Sequence, residues 1–154
     1  MESVRKATLE DLETLSSFAA VLADELGPMR GGALWTAQES RREPLIEEFT
    51  LLLGSEDSYV LLGLLDGVPM GFGVAVIEQL NDGTFLGVVT EIWVDPEARA
   101  IGLGEALLGA LTEFCADRGC IGIDAKALPG HRQTKNFFEE QGFTARMLTM
   151  HKAL

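Results

Sequence analysis

The chain has 154 residues, 47% of them hydrophobic, which is enough apolar material for a single core and so for one domain over 1–154. Its 24 acidic residues against 12 basic ones give a net charge of −12; this argues against a nucleic-acid partner, whose phosphates would be repelled, and suits either solubility or a cationic substrate. The opening Met1-Glu2-Ser3-Val4-Arg5-Lys6 has no apolar signal core and no charge-free run approaches bilayer length, so a cytoplasmic location without membrane contact is expected.

Ser3 to Ala7 predicts a short first strand. Thr8 with Asp11 three residues on forms an N-cap pattern, and Leu12, Leu15, Phe18, Ala19 and Leu22 give the following helix one apolar face up to Gly27-Pro28. Met29 to Trp35 holds two adjacent glycines and no clear period, so a loop is expected there. A second helix is predicted near Glu43 to Leu53, with Leu45, Phe49 and Leu52 on one side. Tyr59 to Leu65 and Val68 to Ile77 flank Asp66-Gly67, which suits a tight hairpin turn because both residues tolerate positive φ. A turn at Asn81-Asp82-Gly83 leads to a strand near Thr84 to Val94, which stops at Asp95-Pro96 because proline cannot continue the ladder.

Helical spacing returns from Leu103 to Asp117, with Leu103, Leu107, Ala110, Leu111 and Phe114 as its stripe and Gly119 as its end. Ile121 to Ala125 is a short strand, so strand, helix and strand make one βαβ crossover. A helix near Arg132 to Gln141 ends at Gly142, and Phe143 to His151 is expected to be the last strand. The fold class is α/β (α+β): a mixed, mainly antiparallel sheet flanked by helices. Cys115 and Cys120 lie five apart around a helix end; they would not share a face and read as buried reduced thiols.

Most of the chemical information sits in Glu91-Ile92-Trp93-Val94-Asp95-Pro96-Glu97-Ala98-Arg99-Ala100-Ile101-Gly102-Leu103-Gly104. A strand ends in proline, a short loop carries Arg99, and two glycines sit where the next helix begins. Unpaired N–H groups and the positive end of the helix dipole favour a phosphate there, and glycine lets it approach. Other phosphate motifs fail on spacing: Glu105-Ala106 follow Gly104 where Walker A needs Lys-Ser/Thr, and Leu107 stands where a dinucleotide fingerprint needs its third glycine. Taken alone, Arg99 would be a surface residue pairing with Glu97 or Asp95.

The segment resembles the acetyl-CoA signature of the GCN5-related N-acetyltransferases (GNAT), an Arg/Gln-x-x-Gly-x-Gly/Ala loop after a strand ending in Val-x-Pro. The element order is similar over nearly the whole chain, and Phe137-Phe138-Glu139-Glu140-Gln141-Gly142-Phe143 resembles the family's Phe-Tyr-Glu-Lys-x-Gly-Phe motif. The resemblance implies a GNAT-type sheet whose βαβ crossover forms the coenzyme site, acetyl-CoA as cosubstrate, no metal, and transfer of the acetyl group to an amine by direct attack on the thioester. It also implies that backbone groups of Ile92, Trp93 and Val94 pair with the pantetheine arm. The amides of Ala100, Ile101, Gly102, Leu103, Gly104 and Glu105 would hold the pyrophosphate, and Arg99 would supply positive charge nearby. Among Lys126, Arg132, Lys135 and Arg146, Lys135 is the foremost candidate for the nucleotide phosphates.

An ammonium acceptor must lose a proton before it can attack, and Glu91 is the candidate base; the resemblance places a glutamate at this strand position. Simple alternation puts Glu91 on one face with Val89 and Trp93, where partial burial would strengthen it as a base. The N–H of Val94 or Trp93 would meet negative charge developing on the thioester oxygen. Phe138 stands where the family often has a proton-donating tyrosine, although a thiol with a pKa of about 8.5 leaves tolerably without an acid. His131 aligns with an asparagine that often opens the last helix and could bond the pantetheine arm or donate a proton; as a residue after Pro129-Gly130 it also reads as surface, and His151 as a solvated terminal residue. The acceptor, a small-molecule or peptide amine, would face Met29 to Trp35, the second helix and the final hairpin, with Trp35 and Glu39 suited to an apolar cation. A homodimer is common in the family. The rival readings are a catalytically degenerate CoA-binding sensor or interaction module, and an acyltransferase with a longer acyl group or a hydroxyl acceptor.

Overall fold

The computed structural model describes residues 1–154. Five strands form one sheet in sequence order: β1 (Glu2–Lys6), β2 (Ser58–Leu65), β3 (Val68–Gln79), β4 (Phe85–Val94) and β5 (Ile123–Ala125). The first four pair antiparallel and β5 joins β4 in parallel, as the crossover requires. The turn between β2 and β3 is the expected tight one, with Asp66 and Gly67 at φ 50° and 82°.

Helices cover both faces: α1 (Leu12–Leu26), α2 (Gly32–Gln38), α3 (Leu45–Leu53), α4 (Leu103–Asp117) and α5 (Arg132–Glu140). On one side Leu15 and Leu22 of α1 and Phe49 of α3 pack on Val60, Leu62, Phe72, Val74 and Trp93 of the sheet. On the other, Leu103, Leu107 and Leu111 of α4 and Phe138 of α5 pack on Leu61, Ala75 and Val89. The period-2 alternation of β2 thus feeds two cores, Val60 and Leu62 to one and Leu61 to the other. The Thr8 pattern is a full capping box: the Thr8 hydroxyl accepts from the Glu10 N–H, and Asp11 takes the Thr8 N–H and two Arg5 donors at 2.8 Å each.

Three expectations need correction. Met29 to Trp35 is not a loop throughout, because α2 begins at Gly32. Its two glycines are not punctuation: Gly31, at φ 83°, is the N-cap, and a Cβ on Gly32 would lie 2.0 Å from the Leu26 carbonyl oxygen. Phe143 to His151 forms no strand. The Phe143 N–H donates to the Phe138 carbonyl at 3.0 Å, and no backbone bond follows it; β5 spans only three residues, and beside it the tail is anchored through the Arg146–Asp124 ion pair, leaving Met147, Leu148 and Met150 exposed. Finally, Cys115 is buried and Cys120 half-buried, and their side chains meet. Helical-face arithmetic stops applying at Asp117, because Gly119 at φ 77° turns the chain back and the Cys120 N–H reaches the Cys115 carbonyl.

Candidate active site

The loop before α4 turns on two left-handed residues, Ala100 at φ 69° and Gly102 at φ 87°, with Gly102 as N-cap. Left-handed positions in such a turn allow neighbouring amides to converge on an anion. The first helical backbone bond runs from the Ala106 N–H to the Gly102 carbonyl, and the N–H groups of Ala100 to Glu105 have no backbone acceptor. A Cβ on Gly102 would have only a Glu2 carboxylate oxygen within 4 Å, at 3.8 Å, so the mouth of the cradle is open; at Gly104 it would touch the Phe137 ring at 3.4 Å. Six free donors, a helix dipole and two positions without side chains fit a pyrophosphate.

Beside this cradle the sheet opens. β5 pairs with β4 only from Gly87 to Val89, so β4 beyond Val89 has a free edge. The Asp95 N–H donates to the Met70 carbonyl, and Trp93 lies opposite Phe72 of β3. Antiparallel alternation therefore turns the backbone groups of Trp93 toward β3 and those of Ile92 and Val94 toward the free edge. Of the three residues expected to offer backbone groups, Trp93 is the exception, and of Trp93 and Val94 it is Val94 whose N–H turns to the free edge. The Val94 carbonyl is already taken by Arg99 Nε at 2.7 Å.

Glu91 is buried as expected, but its neighbours are not those that simple alternation gives. A bulge interrupts β4, with Val74 opposite Glu91 and Ala75 opposite Val89, so that Thr90 is the extra residue. Val89 therefore faces the α4 core, while Trp93 packs against Phe18 of α1. Glu91 is ion-paired with Arg41, a residue that sequence reasoning missed. Arg41 Nε donates to Glu91 Oε2 at 2.6 Å and Nη2 to Oε1 at 2.5 Å, while Nη2 also reaches the Thr90 hydroxyl at 3.1 Å. The guanidinium sits 5.5 Å over the Phe49 ring, and Nη1 is 3.9 Å from Glu48. No motif marks Arg41, because fifty residues and a connector separate it from its partner. A cavity of about 260 Å³ opens above the pair, lined by α1, by Trp35 and Glu39, and by Thr90 and Glu91.

The remaining candidates are dispersed. Arg99 pairs neither with Glu97 nor with Asp95: its Nη2 meets both oxygens of Glu25 at 3.2 and 3.3 Å, and Glu25 also accepts from Trp93 Nε1. His131 caps the start of α5 and is half-buried, with its ring at 2.8 Å from the Thr134 hydroxyl. Burial holds its pKa below the ordinary 6.5, opposed by nearby Glu25 and assisted by Arg99. Lys135 is exposed on α5 and pairs with Glu139, while Lys126 pairs with Glu39 at the cavity rim and Arg146 with Asp124. Phe138 is buried against Phe137 and Phe143, a core residue rather than a proton donor. No group of metal-ligating side chains comes together, and no helix is long and apolar enough to cross a membrane.

Comparison with known proteins gives a consistent result. The acetyltransferase (GNAT) family matches residues 22–143. A mycothiol acetyltransferase of Clavibacter michiganensis subsp. michiganensis (strain NCPPB 382) is 44% identical over 70 residues, 44% of this chain and 21% of that protein; the chain matches only about a fifth of that relative. The aminoglycoside acetyltransferase AAC(6')-Iy, solved with a CoA-linked bisubstrate analogue, superposes with a TM-score of 0.76 at 18% identity, covering 100% of this chain and 99% of that one. Glucosamine-6-phosphate N-acetyltransferase from Arabidopsis thaliana gives 0.70 at 20% identity over 99% and 98%. At such identities these structures establish the shared fold.

Proposed function

Because this chain belongs to the GNAT family of acetyltransferases, we propose that it transfers an acetyl group from acetyl-CoA to an amine of a small molecule or peptide, with Glu91 as the base. The observation that carries this reading is the meeting of three features at the C-terminal end of β4: the unpaired amides of Ala100 to Glu105, the free backbone edge at Ile92 and Val94, and the buried Glu91 carboxylate. Acetyl-CoA, when bound, supplies the acetyl group as an activated thioester.

The chain's own residues then divide the work. The cradle amides, helped by the α4 dipole, hold anionic phosphate; Gly102 keeps its approach clear, and Gly104 lets the start of α4 lie against the Phe137 ring. Ile92 and Val94 extend the sheet edge to an amide-bearing arm, and the Val94 N–H faces the acyl oxygen. Glu91 accepts the proton that an ammonium must lose. Arg99, held by Glu25 and the Val94 carbonyl, fixes the loop from β4 to the cradle and adds positive charge beside it. His131, held below its ordinary pKa, is neutral at pH 7 and can offer one ring N–H to the arm. Lys135, exposed and paired only within its helix, is free to swing to a nucleotide phosphate.

An acetylation assay over an amine panel, read as thiol release, tests the reading. Turnover should fall about 100-fold or more in Glu91→Gln while coenzyme binding is kept. Binding without turnover on any amine would favour the sensor reading, which the burial of Phe138 and the engagement of both Glu91 oxygens would then explain.

A further inference from the structure

Both oxygens of Glu91 are occupied by a permanent cation in an environment nearly closed to water: the side chains of Arg41 and Glu91 are 15% and 8% exposed. The guanidinium takes one lone pair of each oxygen and balances the carboxylate charge, so an arriving ammonium competes with it for the same carboxylate. Withdrawing the guanidinium would strand a buried carboxylate unless another cation replaced it. The surroundings of Arg41 provide for such an exchange, because Glu48 already lies 3.9 Å from Nη1 and the Phe49 ring underlies the guanidinium. The short connector that carries Arg41 is anchored at both ends, by α2 and α3, so a move of the guanidinium from Glu91 toward Glu48 would be one of side-chain torsions. The cavity reaches this pair from the side of α1; Asp24, Glu39 and Glu43 line it beside Glu91, against Arg41 within it and Lys126 on Glu39 at its rim, so the acidic side chains outnumber the basic ones along the path of an entering cation.

We propose that Arg41 is a specificity-determining residue, an exchangeable counter-ion of Glu91 that an alkylammonium acceptor displaces toward Glu48 and that an amine uncharged at neutral pH does not. The inference rests on the reading of Glu91 as the base. The arriving ammonium takes the seat of the guanidinium and gives one proton to Glu91; the carboxylate becomes the acid, the ammonium becomes the neutral amine, and Arg41 stays paired at Glu48. The acceptor class that follows is aliphatic amines, with arylamines excluded by charge rather than by shape.

The test follows the Arg41 Nε–H signal by nitrogen-15 NMR in the wild-type protein, assigned by its loss in Arg41→Lys. Methylamine, benzylamine and 1,4-diaminobutane serve as cationic probes and aniline as the neutral match to benzylamine. At least one cationic probe should shift the signal saturably and aniline should not. Glu48→Gln should weaken that probe about fivefold or more, because the second seat is lost, and Arg41→Gln, if folded, should lower its apparent Kd or KM without lowering kcat. A signal unmoved by all three cationic probes, or moved equally by aniline and benzylamine, overturns the exchange. So does a fall in kcat alone in Arg41→Gln, which would make Arg41 a fixed positioning residue. Turnover that survives Glu91→Gln would instead remove Glu91 as the base while leaving the displacement of Arg41 measurable, so the two failures are distinguishable.

Discussion

A carboxylate taken out of water needs a partner, and for Glu91 that partner comes from a connector fifty residues away. The same logic of burial governs two other side chains. Burial pushes the Cys115 thiol up to about 11, with the Cys120 thiol adding to the effect. At pH 8 a maleimide should therefore label Cys120 and leave Cys115 unmodified on the same timescale, which mass spectrometry of the tryptic peptides would resolve. Burial also lowers the pKa of His131 below 6.5, so the folded state takes up this proton less readily than the unfolded one. The stability linked to His131 is complete above about pH 6.5 and is lost as pH falls through the folded pKa. His131→Gln should lessen the loss of stability between about pH 7 and pH 5, read from urea midpoints; an unchanged pH slope would place the acid sensitivity elsewhere. The burial of Glu91 was legible from its place in an apolar strand. The bulge at Thr90 and the guanidinium of Arg41 were not, because register and partner are set by β3 and by the α2–α3 connector rather than by neighbouring residues.

Elements with local instructions form where the sequence places them. α4 runs from Leu103 to Asp117 as its stripe requires, and Gly102 adopts the left-handed conformation that a cradle needs. The span missed at this scale is α2, seven residues long and too short to show a period. Glycine carries opposite meanings in these two helices, and the difference is measurable. At Gly32 an added Cβ would collide with the carbonyl oxygens of Leu26 and Gly27 at 2.0 and 2.5 Å, so Gly32→Ala should cost about 2 kcal/mol or more. At Gly109, exposed inside α4 with nothing within 4 Å of an added Cβ, alanine should stabilise by about 0.5–1 kcal/mol. Chemical denaturation of the two variants checks both signs.

At the scale of the whole molecule, the antiparallel hairpin and the parallel crossover followed from element order, because a tight turn and a βαβ unit leave few alternatives, whereas the place of β1 beside β2 was not legible. The tail from Phe143 did not become a strand, since a strand exists only where another offers its edge, and no sequence pattern guarantees that partner. What the fold does secure is the opening between β4 and β5 beside the α4 N-terminus, and on this the functional account stands. Titration calorimetry with acetyl-CoA, on the wild type and on Gly104→Glu, tests it most directly. A glutamate in the first turn suits the helix dipole, and its Cβ would stand at contact distance, 3.4 Å, from the Phe137 ring, so the melting temperature of the variant is measured alongside; an unchanged value leaves the negative charge added to the proposed cradle as the cause of any loss of binding. The account predicts saturable binding to the wild type and an affinity weakened about tenfold or more in the variant; no binding to the wild type, or equal binding to both proteins, would contradict it.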